Sequence, residues 1–458
     1  MLFSSITFLY FFLPLSLLVY HGAPIKFKNS VIVLFSLLFF YLGEPNALYL
    51  LITVASLSYF YGVLQAKLKP GQKHLVFVLT LIALFALLFY FKYFDFFILS
   101  VNTLFKTNFN LKKIALPLGI SFYIFQASSY VIDVYREDVQ AERNLINYFA
   151  YLTFFPQLIA GPIVRYQDVQ EDVQIKHNSL TMIESGILRF VLGLGKKVLL
   201  ANALGQINQA ITGTTGGLYW LSALTFTLQL YFDFSGYSDM AIGMGQMFGI
   251  QFLENFNYPF MATSVSDFWR RWHISLGVWF KKYIYIPLGG NRVSLKRLIF
   301  NLAVVWFLTG LWHGAAFNFI VWGFLMWVMI VLEKVIGKKD VTRFKYVNIT
   351  LTFIFIVLSF VIFKNDSLAQ GLQQIKIMLN PWAFNLRDVQ TRFMWRNHLR
   401  LVLFSLILAT PLVKNTYLQI KSEKVKTLIN VLFVIGVMLL STASLVNESY
   451  NPFLYFRF

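Results

Sequence analysis

Residues 266–276 read SDFWRRWHISL, and residues 310–314 read GLWHG inside an apolar run that extends from Leu298 to Glu333. The first segment combines aromatic residues, cations and His273 without a clear amphipathic period. The second places His313 between a tryptophan and a glycine in sequence that is apolar enough for a membrane. Polar groups in such surroundings are costly, which indicates that both segments serve a function.

The composition around these segments predicts an all-α polytopic membrane protein. Of the 458 residues, 58% are hydrophobic and 13% are charged, whereas a soluble protein has roughly 25% charged residues. Apolar runs of spanning length recur, and they lack the alternation of barrel strands. We expect a single membrane domain over residues 1–458. The absence of cysteine excludes disulfides and thiolate chemistry.

The apolar runs define candidate spans, of which several are short enough to be tilted, half-inserted or interfacial. The first, near Met1–Tyr20, lacks the charged start of a signal peptide and is interpreted as a retained span. The candidate spans are 5–20, 31–43, 46–64, 74–99, 117–134, 145–163, 185–203, 218–235, 298–314, 316–336, 347–364, 399–413 and 427–445.

The formal net charge of +19 comes from cations in short loops between the spans. No nucleic-acid motif accompanies them, so we interpret them as topology signals and contacts with anionic lipid. Clusters at 270–297, 338–345 and 414–426 are predicted to face the cytoplasm, which places both termini outside; the cations at 106–113 fit this scheme poorly. Residues 365–400 are predicted to lie outside on the membrane surface, with partner docking as the less favoured alternative.

Two predicted spans contain breaks. Proline and glycine in Phe155–Pro162 are expected to unwind the first. The second break falls at Tyr231–Asp239, where Asp233 and Asp239 lie beside an apolar span. These carboxylates are expected to line a cavity or to pair with cations. A kink with tight helix packing through small residues is an equal alternative.

His313 is the strongest candidate for a catalytic residue. It lies deep in an apolar run near the turn of a predicted hairpin, with no acidic residue close in sequence. A desolvated imidazole stays neutral and can accept a proton, which suits a general base acting on a hydroxyl. A histidine hydrogen-bonded inside the bundle is the alternative. The other histidines except His273 lie among polar neighbours: His21, His74, His177 and His398.

The basic stretch around His273 is predicted to meet the phosphates of an acyl donor. The candidate groups are Arg270, Arg271 and Lys281, together with Asn291 in the glycine turn that follows. A topology-setting loop held to the membrane by tryptophans is the alternative. The sequence contains no glycine-rich phosphate loop, zinc motif or nucleophile elbow, so neither a metal site nor a bound cofactor is predicted.

Together these segments resemble the membrane-bound O-acyltransferase family, and most closely its bacterial polysaccharide-acetylating branch, which includes the alginate O-acetyltransferase membrane subunit. The similarity runs in order along nearly the whole chain. The matching segments are 129–136, 155–165, 231–241, 267–292, 310–314 and 455–458.

The resemblance implies a fold of roughly 11–13 transmembrane or re-entrant helices around a channel, with a catalytic core at about 115–336. It implies that His313 is essential within the channel and that His273 lies nearer the cytoplasmic side. Trp312 would shape the pocket, and Asp233 or Asp239 would orient polar groups in the channel. The implied donor is cytoplasmic acetyl-CoA. The implied acceptor is an extracytoplasmic partner acetyltransferase or a polysaccharide hydroxyl, at a bacterial inner membrane.

Two other functions remain open from the sequence. One is D-alanyl transfer to teichoic acid from an acylated carrier protein, within the same family. The other is a secondary transporter or flippase for an anionic substrate, which broken helices and intramembrane carboxylates would suit. The sequence shows no internal repeat of the kind that many transporters have.

Overall fold

The computed structural model describes residues 1–159, 161–175, 179–336, 344–385, 387–447, 450, 451 and 454. Within these ranges every regular element is helical, which confirms the predicted fold class. His177, the basic residues at 338–343 and the closing motif at 455–458 lie outside the described residues.

The first half of the described chain contains eleven helices in chain order. They are α1 (Phe8–Gly22), α2 (Ile25–Gly43), α3 (Pro45–Gln65), α4 (Pro70–Phe105), α5 (Ile120–Tyr135), α6 (Leu145–Leu152), α7 (Phe155–Leu158), α8 (Tyr166–Gln174), α9 (Leu180–Gly195), α10 (Asn202–Ala210) and α11 (Gly216–Met247). A π-helical turn, Lys196–Ala201, joins α9 to α10.

The second half begins with two short helices and continues with longer ones. They are α12 (Val265–Trp269), α13 (Ile274–Phe280), α14 (Leu295–His313), α15 (Phe317–Ile336), α16 (Lys345–Lys364), α17 (Leu368–Met378), α18 (Val389–Leu408), α19 (Leu412–Leu418) and α20 (Glu423–Asn447). A π-helical turn, Lys281–Tyr285, extends α13.

Seven of the described helices are long and apolar enough to cross a membrane: α2, α3, α4, α14, α15, α16 and α20. An eighth crossing results if α18 and α19, which are bent by 55°, count as one. Apolar side chains such as Leu432 and Leu439 of α20 are exposed along these helices, as contact with lipid requires. The chain is therefore a multi-pass membrane protein.

The remaining predicted spans are also helical, but they are shorter, broken or more polar. Helix α5 has 16 residues, and the predicted span 145–163 divides into α6 and α7. Helix α11 has 32 residues, yet it buries Gln229, Asp233 and Asp239. Buried polar side chains lower its apolar character without preventing helix formation.

Contacts divide the chain into two compact units. The first comprises Met1–Phe190 and Tyr237–Glu254, and the second comprises Val191–Gly236 and Asn255–Phe458. The expectation of a single membrane domain stays a prediction.

The predicted break after Phe155 is present in the first unit. Helix α6 ends at Leu152, and Pro156 then occupies the first turn of α7, where a missing N–H is tolerated. The Gln157 side-chain amide donates to the Tyr151 carbonyl at 2.5 Å. The carbonyl that the helix break leaves without a backbone partner thus receives a hydrogen bond from a side chain, as an apolar environment demands.

The second predicted break, at 231–239, is wrong, because α11 continues through it. Its small residues serve close packing instead. A Cβ on Gly243 would lie 2.5 Å from the Gly186 carbonyl oxygen, and one on Gly236 would lie 2.8 Å from that of Gly193. The glycines therefore permit a tight helix contact, while α11 remains a continuous helix.

The predicted apolar hairpin is confirmed in the second unit as α14 and α15. A Cβ on Gly310 would lie 2.5 Å from the Phe319 carbonyl oxygen, and one on Gly323 would clash with the Trp306 carbonyl. These glycines let the two helices approach closely. The hairpin places His313 at the last residue of α14, next to the connecting turn.

Residues 365–400, predicted as a polar connection, are largely helical. They contain α17 and the first part of α18. Trp382 between them is 93% exposed. Serine and aspartate side chains cap the helices of this segment, which explains why its polar sequence still forms helices: Ser367 caps α17 and Asp388 caps α18. Its position on the membrane surface stays a prediction.

Candidate active site

His313 lies in a cage of aromatic rings in the second unit. Its side chain is 7% exposed. The ring centroids of Trp312, Trp322 and Phe363 lie 5.0, 5.1 and 5.4 Å from the imidazole centroid, all at steep interplanar angles. Such surroundings exclude most water from the imidazole. A neutral imidazole can accept a proton from a hydroxyl.

His273 comes to the same place, although 40 residues separate it from His313 in the sequence. It is 1% exposed, and its ring centroid lies 5.4 Å from that of Trp312. Trp312 therefore contacts both imidazoles. Burial, and secondarily the nearby His313, lowers the pKa of His273 well below its ordinary value. His273 is consequently a second neutral proton acceptor at physiological pH.

The backbone at His273 adopts an unusual conformation. His273 has φ +46° and lies just before α13, in the left-handed region that non-glycine residues rarely occupy. The side-chain oxygen of Asn255 lies 3.2 Å from His273 Nδ1. The Asn255 carbonyl accepts from the Ile274 N–H at 2.9 Å. These bonds hold a conformation that would otherwise be strained, which is common at functional sites.

The segment before His273 is anchored by a carboxylate from α15. Glu333 accepts hydrogen bonds from the backbone N–H groups of Val265 and Ser266 at 2.6 and 2.9 Å. Ser264 caps the same helix by accepting from the Asp267 N–H at 3.0 Å. Unpaired N–H groups at a helix start are thereby satisfied. The capping fixes α12 to the hairpin that carries His313.

Replacing Glu333 with alanine is expected to destabilise the protein by about 1–3 kcal/mol, because two backbone N–H groups lose their acceptor. Glu423→Ala removes an exposed carboxylate at the start of α20 and is the matched control, expected to have little effect. The free energy of unfolding in mixed micelles is the measurement. Equal stability of the two variants would contradict the anchoring role of Glu333.

A small pocket opens beside His313. It has a volume of about 20 Å³, near what one water molecule needs. The lining is aromatic and aliphatic apart from the imidazole. The lining residues are Leu230, Phe234, Trp272, His313, Trp322, Phe360 and Phe363.

The predicted donor-binding cations lie along the segments that flank His273. Arg270 and Arg271 both contact Asp267, at 3.3 and 3.1 Å. The Arg270 side chain is 70% exposed, and Lys281 is exposed at the start of its π-helical turn. These exposed cations are available to an anionic ligand. Their predicted role as phosphate contacts stays a prediction.

Asn291 is exposed, immediately after a turn in which Gly289 and Gly290 both have positive φ. This turn is held by Asn301, which the sequence analysis did not single out. The buried Asn301 side chain donates to the carbonyls of Leu288 and Gly290 at 3.1 and 3.2 Å. The predicted anion-binding role of Asn291 is not tested by this arrangement and stays a prediction.

Asp233 and Asp239 pair with cations, which is one of the two alternatives that their sequence left open. Asp233 lies 2.7 Å from Lys197 Nζ, with both side chains 3% exposed. Asp239 lies 2.6 Å from Arg189 in the first unit. Neither is among the residues that line the pocket at His313. Their role in a channel stays a prediction.

In the described ranges no cluster of three or more histidine, cysteine, aspartate or glutamate side chains is arranged to bind a metal ion. The functional residues that the sequence analysis missed are Asn255, Asn301 and Glu333. Nothing in the sequence distinguishes Asn255 from Asn257 two positions later. The sequence position of Glu333 offered a weak indication of its role, since it is a carboxylate at the end of a long apolar run.

Residues 57–365 match the sequence model of the membrane-bound O-acyltransferase family. The matched range contains both buried histidines and every residue of the pocket. This chain belongs to the membrane-bound O-acyltransferase family. It is therefore an O-acyltransferase, and the aromatic cage with its two imidazoles is the candidate site of acyl transfer in this family member.

Relatives within the family are similar along half of this chain or more. A Pseudomonas putida protein named "Probable alginate O-acetylase" is 37% identical, with 100% of both chains covered. The peptidoglycan O-acetyltransferase of Helicobacter pylori is 33% identical over 92% of this chain and 88% of its own. A teichoic acid D-alanyltransferase from Streptococcus thermophilus is 29% identical over 54% of this chain and 68% of its own.

Proposed function

We propose that this O-acyltransferase takes an acetyl group from cytoplasmic acetyl-CoA and delivers it toward hydroxyls of an extracytoplasmic polysaccharide, in the cytoplasmic membrane of a bacterium. The names of two extensively covered relatives, an alginate O-acetylase and a peptidoglycan O-acetyltransferase, support acetyl transfer to a glycan. Acetyl-CoA is a substrate in this proposal, and no bound cofactor is invoked.

The observation that carries the proposal is His313 inside its aromatic cage. A neutral imidazole there accepts the proton of an incoming hydroxyl while the oxygen attacks the carbonyl carbon of the thioester. The new C–O bond forms, the C–S bond breaks, and the departing thiolate takes up a proton. Exclusion of water by Trp312, Trp322 and Phe363 protects the thioester from hydrolysis.

The size of the pocket favours a short acyl group and an intermediate acceptor that carries this group to the polysaccharide. A volume of about 20 Å³ between aromatic rings must widen even for an acetyl group, and it is far too small for a sugar polymer. We therefore propose that an extracytoplasmic partner acetyltransferase supplies the accepting hydroxyl. That partner then passes the acetyl group to the polysaccharide.

The cations near His273 are proposed to bind the anionic part of the donor. Arg270, Arg271 and Lys281 lie on the two segments that flank the buried histidine. Guanidinium groups bind phosphates with paired, charge-assisted hydrogen bonds. Asp267 contacts both arginines, so the donor phosphates would compete with this carboxylate for them.

Arg270→Ala is expected to raise the KM for acetyl-CoA by about tenfold, because one charge-assisted hydrogen bond is worth roughly 1.5–3 kcal/mol. The expected kcat is nearly unchanged, since the residue binds ground state and transition state alike. Lys424→Ala, at the start of α20, is the matched loss of an exposed cation. Equal KM values for both variants across a range of salt concentrations would contradict phosphate binding by Arg270.

The experiment that tests the proposed donor uses purified protein in liposomes. Labelled acetyl-CoA and a D-alanylated carrier protein are offered separately, with and without a candidate partner. Consumption of the acetyl-CoA thioester supports the proposal. Turnover of the carrier-protein thioester alone would favour D-alanyl transfer, and movement of an anionic solute without thioester cleavage would favour transport.

A further inference from the structure

The hydrogen bonds of Asn255 identify which nitrogen of His273 carries the proton. The Ser275 backbone N–H donates to Asn255 Oδ1 at 3.1 Å, which fixes that atom as the amide oxygen. The Ser275 hydroxyl lies 2.9 Å from the same oxygen. His273 Nδ1 is 3.2 Å away from it. An amide oxygen only accepts hydrogen bonds, so Nδ1 must donate and therefore carries the proton.

This assignment determines what the opposite edge of the ring can do. A neutral imidazole protonated at Nδ1 has its lone pair on Nε2. Nε2 can then accept a hydrogen bond from a hydroxyl, but it cannot donate one to a carbonyl oxygen. His273 in this form therefore cannot stabilise an oxyanion by donating a hydrogen bond from Nε2.

The amide of Asn255 is well placed to impose this tautomer. Asn255 is fully buried, and its backbone carbonyl also accepts from the Ile274 N–H. Its side-chain and main-chain oxygens thus both bind the turn at residues 273–275. An amide held this rigidly cannot rotate to present its NH₂ group to the imidazole without losing the bonds to Ser275.

Two aromatic rings pack against the imidazole of His273. Phe234 of α11 lies 4.7 Å from it, centroid to centroid, and Trp312 of α14 lies 5.4 Å away. His313 is the titratable neighbour that affects its charge. On the segment that precedes His273, Arg270 and Arg271 each contact Asp267.

We propose that Asn255 is a positioning residue that holds His273 as the Nδ1–H tautomer, so that the unprotonated Nε2 of His273 can accept a hydrogen bond in the acyl-transfer site while His313 takes the hydroxyl proton. The role in transfer rests on the proposed function, whereas the tautomer itself is a property of the resting protein. Hydrogen-bond partners of this kind fix the tautomer of many functional histidines.

The first test reads the tautomer directly, without turnover. The full-length protein is labelled with ¹⁵N-histidine in liposomes, and His273→Gln identifies the signals of His273. The expected spectrum at neutral pH shows a protonated Nδ1 and an unprotonated Nε2. Asn255→Leu is expected to convert the signal to the other tautomer or to a mixture, whereas Asn257→Leu, at an exposed position, leaves it unchanged. A protonated Nε2 in the unmodified protein would overturn the inference.

The second test separates positioning from a purely structural role. Asn255→Leu is expected to lower kcat by about 10–100-fold. Asn255→Asp keeps the acceptor oxygens and is expected to restore most of the rate, while moving the acid limb of the pH–rate profile upward by about 1–3 units, because a carboxylate favours the imidazolium. An unshifted acid limb in a folded Asn255→Asp variant would overturn the inference.

These outcomes are distinguishable from failure of the proposed function. If neither acetyl-CoA nor a carrier-protein thioester is consumed, the proposed donor chemistry fails, yet the histidine spectrum still reports the tautomer. If thioester is consumed in a manner that depends on His313 while His273 carries its proton on Nε2, only the role of Asn255 fails.

Discussion

His313→Ala is expected to lower kcat for acyl transfer by about 10²–10⁴-fold, the usual contribution of a general base. The reason is that the rings around His313, those of Trp312, Trp322 and Phe363, do not act as bases and cannot replace it as the acceptor of the hydroxyl proton. The KM for the donor is expected to change little, because His313 acts on the hydroxyl. Steady-state thioester consumption is the measurement.

Two matched variants control for folding and for nonspecific loss of a histidine. His313→Gln keeps a hydrogen-bonding side chain of similar length but offers no base of comparable strength, so it is expected to be as slow as alanine. His74→Ala removes an exposed histidine that contacts Tyr135 and is expected to retain full activity. A folded His313→Gln protein with nearly normal kcat would contradict the role of His313 as a base.

Lys197→Met is expected to destabilise the protein by about 3–5 kcal/mol, because it leaves the buried Asp233 carboxylate without its cation. The ion pair is only 3% exposed on either side. Lys197 Nζ also donates to Asn202 at 3.0 Å, and Asp233 accepts from the Leu454 N–H at 2.9 Å. The free energy of unfolding in mixed micelles measures the effect.

The double variant Lys197→Met/Asp233→Leu distinguishes an unpaired charge from lost packing. Replacing a whole buried pair with apolar residues is often nearly neutral, so the double variant is expected to be more stable than Lys197→Met alone. Lys426→Met, which removes a cation from an exposed pair with Glu423, is expected to cost less than about 1 kcal/mol. Additive losses in the double variant would contradict a strongly coupled buried pair.

The fold was predictable where the chain meets lipid. Long apolar runs such as those of α2, α3, α4 and α15 predict membrane-spanning helices by their length and apolarity alone. No amphipathic pattern is needed, because in a bilayer an isolated segment can satisfy its backbone hydrogen bonds only as a helix. The hairpin of α14 and α15 followed from the same signal. The continuity of α11 did not, because glycine, serine and aspartate disfavour an isolated helix, and tertiary packing against α9 overrides that preference.

The candidate site was predictable in its residue types but not in its assembly. His313 stood out because a histidine in an apolar run is costly, and that argument needs no contacts. The approach of His273 to Trp312 depends on how α12, α13 and α14 pack, which no local pattern encodes. The same holds for Asn255, because its role arises only from three groups that converge on one oxygen.

The most direct measurement of the central claim follows a labelled acetyl group in liposomes that contain the purified protein and a candidate partner. The account predicts that label leaves acetyl-CoA and becomes covalently attached to the accepting hydroxyl with the unmodified protein and with His74→Ala, but not with folded His313→Ala. Label transfer at the normal rate by folded His313→Ala would contradict the account.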